Sequence, residues 1–263
     1  MRNIIMLVAI HKSAWYPQDE MYMPLFVGAE GKEKWADIAC DNTGDNISKK
    51  NPYYAELTGL YWAWKNLDCE YIGLSHYRRF FDLNFFLKTL KYKQKSILKK
   101  RDIDKLLDKA DIVLPELGNF KNDTIRSHYE RSHIAQDLVV AEDIIRRYHS
   151  EYLGSFNKVM NGSSATFFNM FVMRKSLFDE YCEWLFDIFL RLEKEIDLSK
   201  HVGYQQRVFG FMAERLFNVW VDYKGLKPEY CHVVQLMDDD RPWFKEVFYR
   251  VQDFICYHMG IRA

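Results

Sequence analysis

The sequence predicts an α/β fold around a largely parallel sheet, and three observations carry that expectation. The runs Asn3–Ile10 and Tyr71–Leu74 are continuously apolar and of strand length, the pattern of strands covered on both faces. Segments with apolar residues at helical spacing alternate with such runs along the chain. Ligand-type side chains stand directly after the runs: His11 and Lys12 after the first, His76, Tyr77, Arg78 and Arg79 after the second. In open α/β sheets ligands bind outside the carboxyl ends of the strands, so these positions are the expected site.

Composition narrows the function classes. A chain of 263 residues is long enough to bury a full core. Lys and Arg total 37 against 37 Asp and Glu, so a basic nucleic-acid-binding surface is not indicated. Aromatics make up 16%, which allows stacking surfaces as well as a large aromatic core. Cys40, Cys69, Cys182, Cys231 and Cys256 are widely spaced with no CxxC, which excludes a zinc ribbon and argues for reduced thiols in a cytosolic protein. The opening apolar run is too short for a signal peptide and ends at His11-Lys12 without a small-residue cleavage site, so it reads as a buried first strand. No segment reaches the roughly 18 apolar residues of a transmembrane helix.

Taken in order, the first strand delivers His11 to a loop with Tyr16 and Pro17. A second strand runs from Tyr22 to Gly28. Asp41–Lys50 is a loop rich in acids and amides, holding Asp41, Asn42, Asp45 and Asn46, with Ser48 as a fair N-cap for the next helix. That helix, Pro52–Asn66, carries an aromatic stripe and, among the aromatics, Glu56. The strand Tyr71–Leu74 follows. Phe85–Arg101 is a basic insert at helical spacing, the pattern of a solvated helix face. A short helix (Asp102–Lys109) leads into a strand (Asp111–Leu114). Thr124–Tyr148 is mostly helical; its His128 and His133 are five apart and so do not form a helical zinc pair. Ala165–Met173 reads as a buried strand with Asn169 inside it, a polar amide that must find hydrogen-bond partners in ligand or backbone. Helices at Leu177–Glu195 and Gly203–Tyr223 follow, the second interrupted by Arg207, Glu214 and Arg215. A late strand, Glu229–Leu236, precedes Asp238-Asp239-Asp240. The expected division is a domain over 1–236 and a helical, aromatic and basic tail over 237–263. Arg241–Ala263 has the makeup of an interfacial helix that contacts a membrane or a partner, or docks into the protein's own core.

No GxGxxG follows Ile10, no GxxxxGK[ST] occurs, and there is no GxSxG elbow. What remains is paired arginines at a strand end, acids in an adjoining loop, and many aromatics. Arg78 and Arg79 offer fork-shaped donors to a phosphate or diphosphate. Tyrosines and tryptophans can stack on a base or a sugar. Glu214 or Asp45 can take a proton from an acceptor hydroxyl. Together these fit transfer of a sugar from a nucleotide donor, although the same arginines can instead form ordinary salt bridges with Asp41 or Asp45.

The runs DNTGDNIS, NPYYAELTGLYWAWKN, YIGLSHYRRFF, FFNMFVMRKSLFDEYCEWLF and QRVFGFMAERLFNVWV resemble the bacterial family of capsular and exopolysaccharide biosynthesis proteins, formerly a domain of unknown function. That family is assigned to glycosyltransferases and includes galactofuranosyltransferases. The resemblance covers roughly residues 3–223. It implies a GT-A-like, Rossmann-type mixed sheet flanked by helices, with a helical C-terminal extension. It also implies assembly of a repeat unit on a lipid carrier at the inner face of the cell membrane, without fixing donor or acceptor. The leading expectation is inverting sugar transfer from a UDP-sugar, UDP-galactofuranose among the candidates, to a lipid-linked saccharide. The expected donor site is His11, Asp41, Asn46, His76, Tyr77, Arg78 and Arg79; the expected acceptor site is Asn169 and Arg207. Glu214 is the expected base, as the GT-A pattern places that group late in the domain, with Asp45 in reserve. GT-A enzymes usually carry Asp-x-Asp where this chain reads His76-Tyr77-Arg78-Arg79. Metal-independent chemistry is therefore expected, with Asp238–Asp240 as the fallback for a divalent ion. A non-catalytic nucleotide-sugar or glycan-binding subunit is the alternative.

Overall fold

Alternation in the first strand organises the molecule. In β1 (Ile4–Ile10), Met6, Val8 and Ile10 enter one apolar cluster and Leu7 and Ala9 the other, so the strand is covered on both faces as its unbroken apolar run requires. The structure, a computed structural model, describes residues 2–82, 93–120 and 122–236. The expected tail at 237–263, with Asp238–Asp240, and part of the basic insert lie outside the described residues.

The remaining strands are β2 (Tyr22–Phe26), β3 (Ala39–Cys40), β4 (Tyr71–His76), β5 (Arg79–Asp82), β6 (Ile112–Pro115), β7 (Gly118–Asn119), β8 (Ser164–Ala165), β9 (Phe171–Arg174) and β10 (Pro228–Gln235). With β1, seven of them form one eight-stranded sheet in the order β3-β2-β1-β4-β5-β10-β6-β9, while β7 and β8 pair separately. The β3-β2-β1-β4 half is parallel, as expected. The other half corrects the expectation of a largely parallel sheet: β4–β5, β5–β10, β4–β9 and β6–β9 are antiparallel and β6–β10 is parallel. Because β9 pairs with both β6 and β4, the strands β4, β5, β10, β6 and β9 close into a five-stranded ring. Gly73 makes the closure possible, since a Cβ there would meet Met6 Sδ at 2.7 Å and the Phe171 carbonyl oxygen at 2.8 Å.

Helices Leu57–Asn66, Ala135–Tyr148, Lys175–Glu195 and Val208–Lys224 bury their apolar faces in one cluster. The short helix Lys100–Leu107 covers the other face with Ile103 and Leu107. The aromatic stripe expected on Pro52–Asn66 is core. Trp64 stacks on Phe186 with rings 5° apart, and Tyr54 stacks on Phe209 at 4.2 Å. No helix among the described residues is long and apolar enough to cross a membrane.

Two expected elements are broken, both near the cleft described below. The helix over Pro52–Asn66 is interrupted at Ala55, whose φ is +49°, leaving Asn51–Tyr54 and Leu57–Asn66. Ser48 does not cap it; its hydroxyl donates to Asp41 Oδ1 at 2.5 Å. The strand over Ala165–Met173 is reduced to β9 because Phe168 (φ +77°) and Asn169 (φ +53°) are left-handed. Asn169 therefore stands in a turn, not inside a strand. Asn visits this region readily, whereas a bulky residue such as Phe there is an outlier of order 1–3 kcal/mol that its surroundings must hold in place.

Candidate functional site

The register places the turn before β9 beside the end of β4. β9 runs antiparallel to β4 with Phe171 opposite Leu74, so residues 166–170 arrive at the carboxyl edge next to His76. Immediately after β4 the chain reverses: His76 pairs with Arg79, and Tyr77 and Arg78 make the turn. Helix Leu57–Asn66 starts at the same edge with Glu56 at its head, and the helix Val208–Lys224 brings Glu214.

These elements enclose a cleft of about 560 Å³ whose lining includes Glu56, His76, Arg79, Arg207 and Glu214. The Phe168–Asn169 turn ties the groups together. The Phe168 N–H donates to Glu214 Oε1 at 2.9 Å, and its carbonyl accepts from His76 Nε2 at 2.5 Å, so that nitrogen carries the proton. The Arg79 guanidinium lies 4.5 Å over the Phe168 ring. Asn169 Nδ2 donates to Glu56 Oε1 at 2.7 Å and to the Gly210 carbonyl at 3.2 Å, while its Oδ1 is buried without a partner. Four expected or noted polar groups thus converge on two residues in an unusual backbone conformation, which is what strain held at a functional site looks like.

The two cleft carboxylates are tuned in opposite directions. Burial lifts the Glu214 carboxyl above the usual range; Arg215, donating to Oε2 at 2.8 Å, offsets part of this, and the nearby Glu56 charge adds to it. Burial works to lift Glu56 as well, but His76, the Asn169 amide and Arg207 hold it below the usual range, with Arg207 Nη2 at 3.4 Å from Oε2. Burial pushes the imidazole of His76 down despite the neighbouring Glu56, and pushes that of His133 down to about 4. Carboxylates separated in this way are the usual acid and base pair of an enzyme site.

Of the expected residues, the structure brings together His76, Arg79, Arg207 and Glu214 at the cleft, with Asn169 directly behind Glu56. His11, Tyr77 and Arg78 form an adjoining patch: the His11 and Tyr77 rings meet edge-on at 5.1 Å, and the Arg78 guanidinium lies 5.0 Å over Tyr77. The loop acids are placed elsewhere. Asp41 is fully buried and accepts from the Gly28 N–H (2.7 Å), the Ala29 N–H (3.0 Å), Ser48 Oγ and Thr58 Oγ1 (both 2.5 Å), so its oxygens are committed to folding the loop. Asp45 is exposed, accepts from the Tyr61 hydroxyl at 3.3 Å, and has its backbone N–H on Asn66. That is the far end of a ten-residue helix from Glu56, about 15 Å away. Asn46 Oδ1 accepts from the Ser48 N–H and its Nδ2 donates to the Gly44 carbonyl, closing the same loop on itself.

The cleft also contains residues that the sequence did not assign to a site. His128 and His133 both line it, because the helix carrying the first ends at Ser132 and His133 turns in from beyond it. They are not arranged as ligands: His128 Nδ1 meets Arg215 Nη2 at 3.2 Å and His133 stacks on Phe211 at 4.1 Å. No cluster of three metal-ligating side chains occurs among the described residues. The expected signal for Glu56, an acid among aromatics on a helix face, was present in the sequence; nothing local signalled Phe168 or Tyr204.

Three comparisons bear on this cleft. Among solved structures, that of WbbM, described as a bifunctional glycosyltransferase in its apo form, matches with a TM-score of 0.84 and 30% identity. The match covers 90% of this chain and 46% of the WbbM chain, so the sequence spans less than half of that protein. No curated protein matches the chain. A family model described as a domain of unknown function, DUF4422, matches residues 5–225, a stretch that holds every strand of the sheet except β10 and all the residues lining the cleft, and the chain belongs to that family.

Proposed function

We propose that the chain is a glycosyltransferase with a GT-A-like site, moving a sugar from a UDP-sugar to a hydroxyl of a saccharide acceptor with inversion. The observation that carries the reading is the pairing in one cleft of a buried carboxylate of raised proton affinity, Glu214, with the Arg79 guanidinium, both fastened to Phe168. The likeness to part of a bifunctional glycosyltransferase supports it. In this mechanism Glu214 accepts the proton of the acceptor hydroxyl as that oxygen attacks the anomeric carbon. The bond from that carbon to the diphosphate breaks, and the charge that develops on the departing UDP is met by Arg79 and, from the adjoining patch, Arg78. Asn169 and Arg207 hold Glu56 ionised beside the site.

A divalent metal does not fit the end of β4. The groups there are an imidazole committed to the Phe168 carbonyl and guanidinium ions, and the nearby Glu56 and Glu214 oxygens already accept from Asn169, Arg207, Phe168 and Arg215. Cationic side chains take the role that a metal ion has in other nucleotide-sugar enzymes. A lipid-linked acceptor at the inner membrane face, in capsule or exopolysaccharide assembly, and UDP-galactofuranose as donor are the finer parts of the same reading.

The test is UDP release from a panel of UDP-sugars, UDP-galactofuranose included, with and without a synthetic lipid-linked acceptor. Acceptor-dependent release is expected. UDP binding with no release from any donor would leave a non-catalytic nucleotide-sugar-binding module instead.

A further inference from the structure

Tyr204 lines the cleft yet is 66% exposed, and Val202 beside it is 71% exposed. A large aromatic side chain left open at the mouth of a polar cleft is a surface waiting for a flat apolar partner. It is also held in place. Gln205, the next residue, accepts from His133 Nδ1 at 3.1 Å through its Oε1 and donates its Nε2 to the Ser132 carbonyl at 2.9 Å. The short 3-10 segment Gly203–Arg207 is thereby fastened to the end of the helix that carries His128. Behind Tyr204 the rings continue inward. Tyr204 and Phe211 are 4.8 Å apart, and Phe211 stacks on His133 at 4.1 Å and 21°.

The position of this ladder relative to Glu214 identifies its ligand. Phe211 precedes Glu214 by three residues on one helix, so the two side chains are neighbours on the same face. The cationic group that suits a diphosphate, the Arg79 guanidinium, comes from the sheet edge instead. A group lying on the open face of Tyr204, which Phe211 backs, would therefore sit in the same cleft near the carboxylate that takes the acceptor proton. Sugar rings present an apolar C–H face to an aromatic ring while their hydroxyls remain available to polar neighbours. The required acceptor is a hydroxyl-bearing ring, which is the one partner that satisfies both the open aromatic and the adjacent carboxylate.

We propose that Tyr204, backed by Phe211 and His133, is the stacking platform for a sugar ring of the acceptor and thus a determinant of acceptor recognition. The inference rests on the glycosyltransferase reading, and its test is arranged so that the two can fail separately. Saturation-transfer NMR is recorded on the full chain with UDP present, using the methyl glycosides of glucose, galactose and N-acetylglucosamine as probes, for the unmodified protein, Tyr204→Ala and Tyr204→Phe. UDP binding is measured on all three proteins by calorimetry. At least one glycoside should receive saturation on its ring C–H protons from the unmodified protein. Tyr204→Ala should weaken that binding by roughly 3–10-fold, the range of an aromatic contact, while Tyr204→Phe retains it. UDP affinity should stay within about twofold in both variants, a difference well below one hydrogen bond to a charged group. Because Tyr204 is exposed, loss of fold does not confound the Ala variant. Saturation that survives Tyr204→Ala, or no glycoside bound by the unmodified protein while UDP binds, overturns the platform and leaves the donor site standing. Failure of the unmodified protein to bind UDP overturns the functional reading on which the platform rests.

Discussion

Two polar loops of this protein, 41–48 and 166–170, invite comparison, because each is built around a buried polar side chain and they do opposite things. Asp41, 0% exposed, is met by four donors from residues no more than 17 positions away. Asn169, 5% exposed, reaches across 113 positions to Glu56, leaves its Oδ1 without a partner, and sits in a left-handed backbone with Phe168. The first loop is satisfied by its near neighbours in the chain. The second spends its hydrogen bonds on groups of the cleft, and its backbone strain is held by them. A dense local patch of acids and amides is therefore a poor guide to a site, because residues close in sequence can satisfy one another.

The largest effect that follows from this contrast is on Glu214, which the second loop holds. Glu214→Gln keeps the acceptor for the Phe168 N–H but cannot take a proton, so turnover should fall by about 10²–10⁴-fold with donor affinity nearly unchanged. If Glu214 is the base, the unmodified protein should show an acid limb in kcat above the ordinary glutamate range, since burial raises this carboxyl and a base acts in its ionised form. The sign for stability is the reverse: the folded state holds this proton more tightly than the unfolded one, so stability falls as pH rises from the ordinary glutamate value through the raised one. Full turnover in the Gln variant would move the base to another acid, with Glu56 the first to try.

Asp41→Ala attacks the first loop, and here the loss should be of folding. It strands the buried N–H groups of Gly28 and Ala29 and two hydroxyls at once. We expect urea denaturation to show a loss of about 3 kcal/mol or more. A variant as stable as the parent that loses UDP binding would restore Asp41 to the donor site and dissolve the contrast. Arg79→Ala sits between the two cases. It removes a guanidinium at the cleft without opening the core, and UDP binding should weaken by roughly 1.5–3 kcal/mol, the scale of hydrogen bonds to charged groups. Unchanged UDP affinity in a folded Arg79→Ala protein would sink the phosphate role.

The same contrast explains what could be read in the sequence. Buried strands announce themselves through continuous apolar runs, so β1, β2 and β4 and their parallel pairing were legible. The antiparallel half was not, because short buried runs such as β6 and β9 carry no mark of direction. At the site, His76, Arg79, Arg207 and Glu214 were legible because polar groups in apolar surroundings stand out. The position of Asp45 was not, since the loop follows the helix down to Asn66 through side-chain hydrogen bonds that no spacing rule encodes. Phe168 looked like any other aromatic in an apolar run; its role comes from backbone conformation and from partners 46 and 92 positions away.

The smallest expected effect is the sharpest control. Asp45 is an exposed acid whose side chain accepts a 3.3 Å bond from Tyr61, midway along the helix that begins after Glu56, and whose backbone is held by Asn66 at the far end of that helix. A general base must come within about 3 Å of the hydroxyl it deprotonates, directly or through one water. A carboxylate tied to Tyr61, more than a helical turn beyond Glu56 and outside the residues that line the cleft, cannot serve the cleft from there. Asp45→Ala should therefore leave turnover and UDP affinity at the level of the parent and change stability by no more than about 0.5 kcal/mol, the usual range for an exposed substitution. Its backbone bonds to Asn66, which hold the loop in place, survive the change. If Asp45→Ala instead lost turnover as Glu214→Gln is expected to, the loop would have to swing its acid to the carboxyl edge during catalysis. The two loops would then share one function, and the division between a loop that folds and a turn that holds the site would no longer stand.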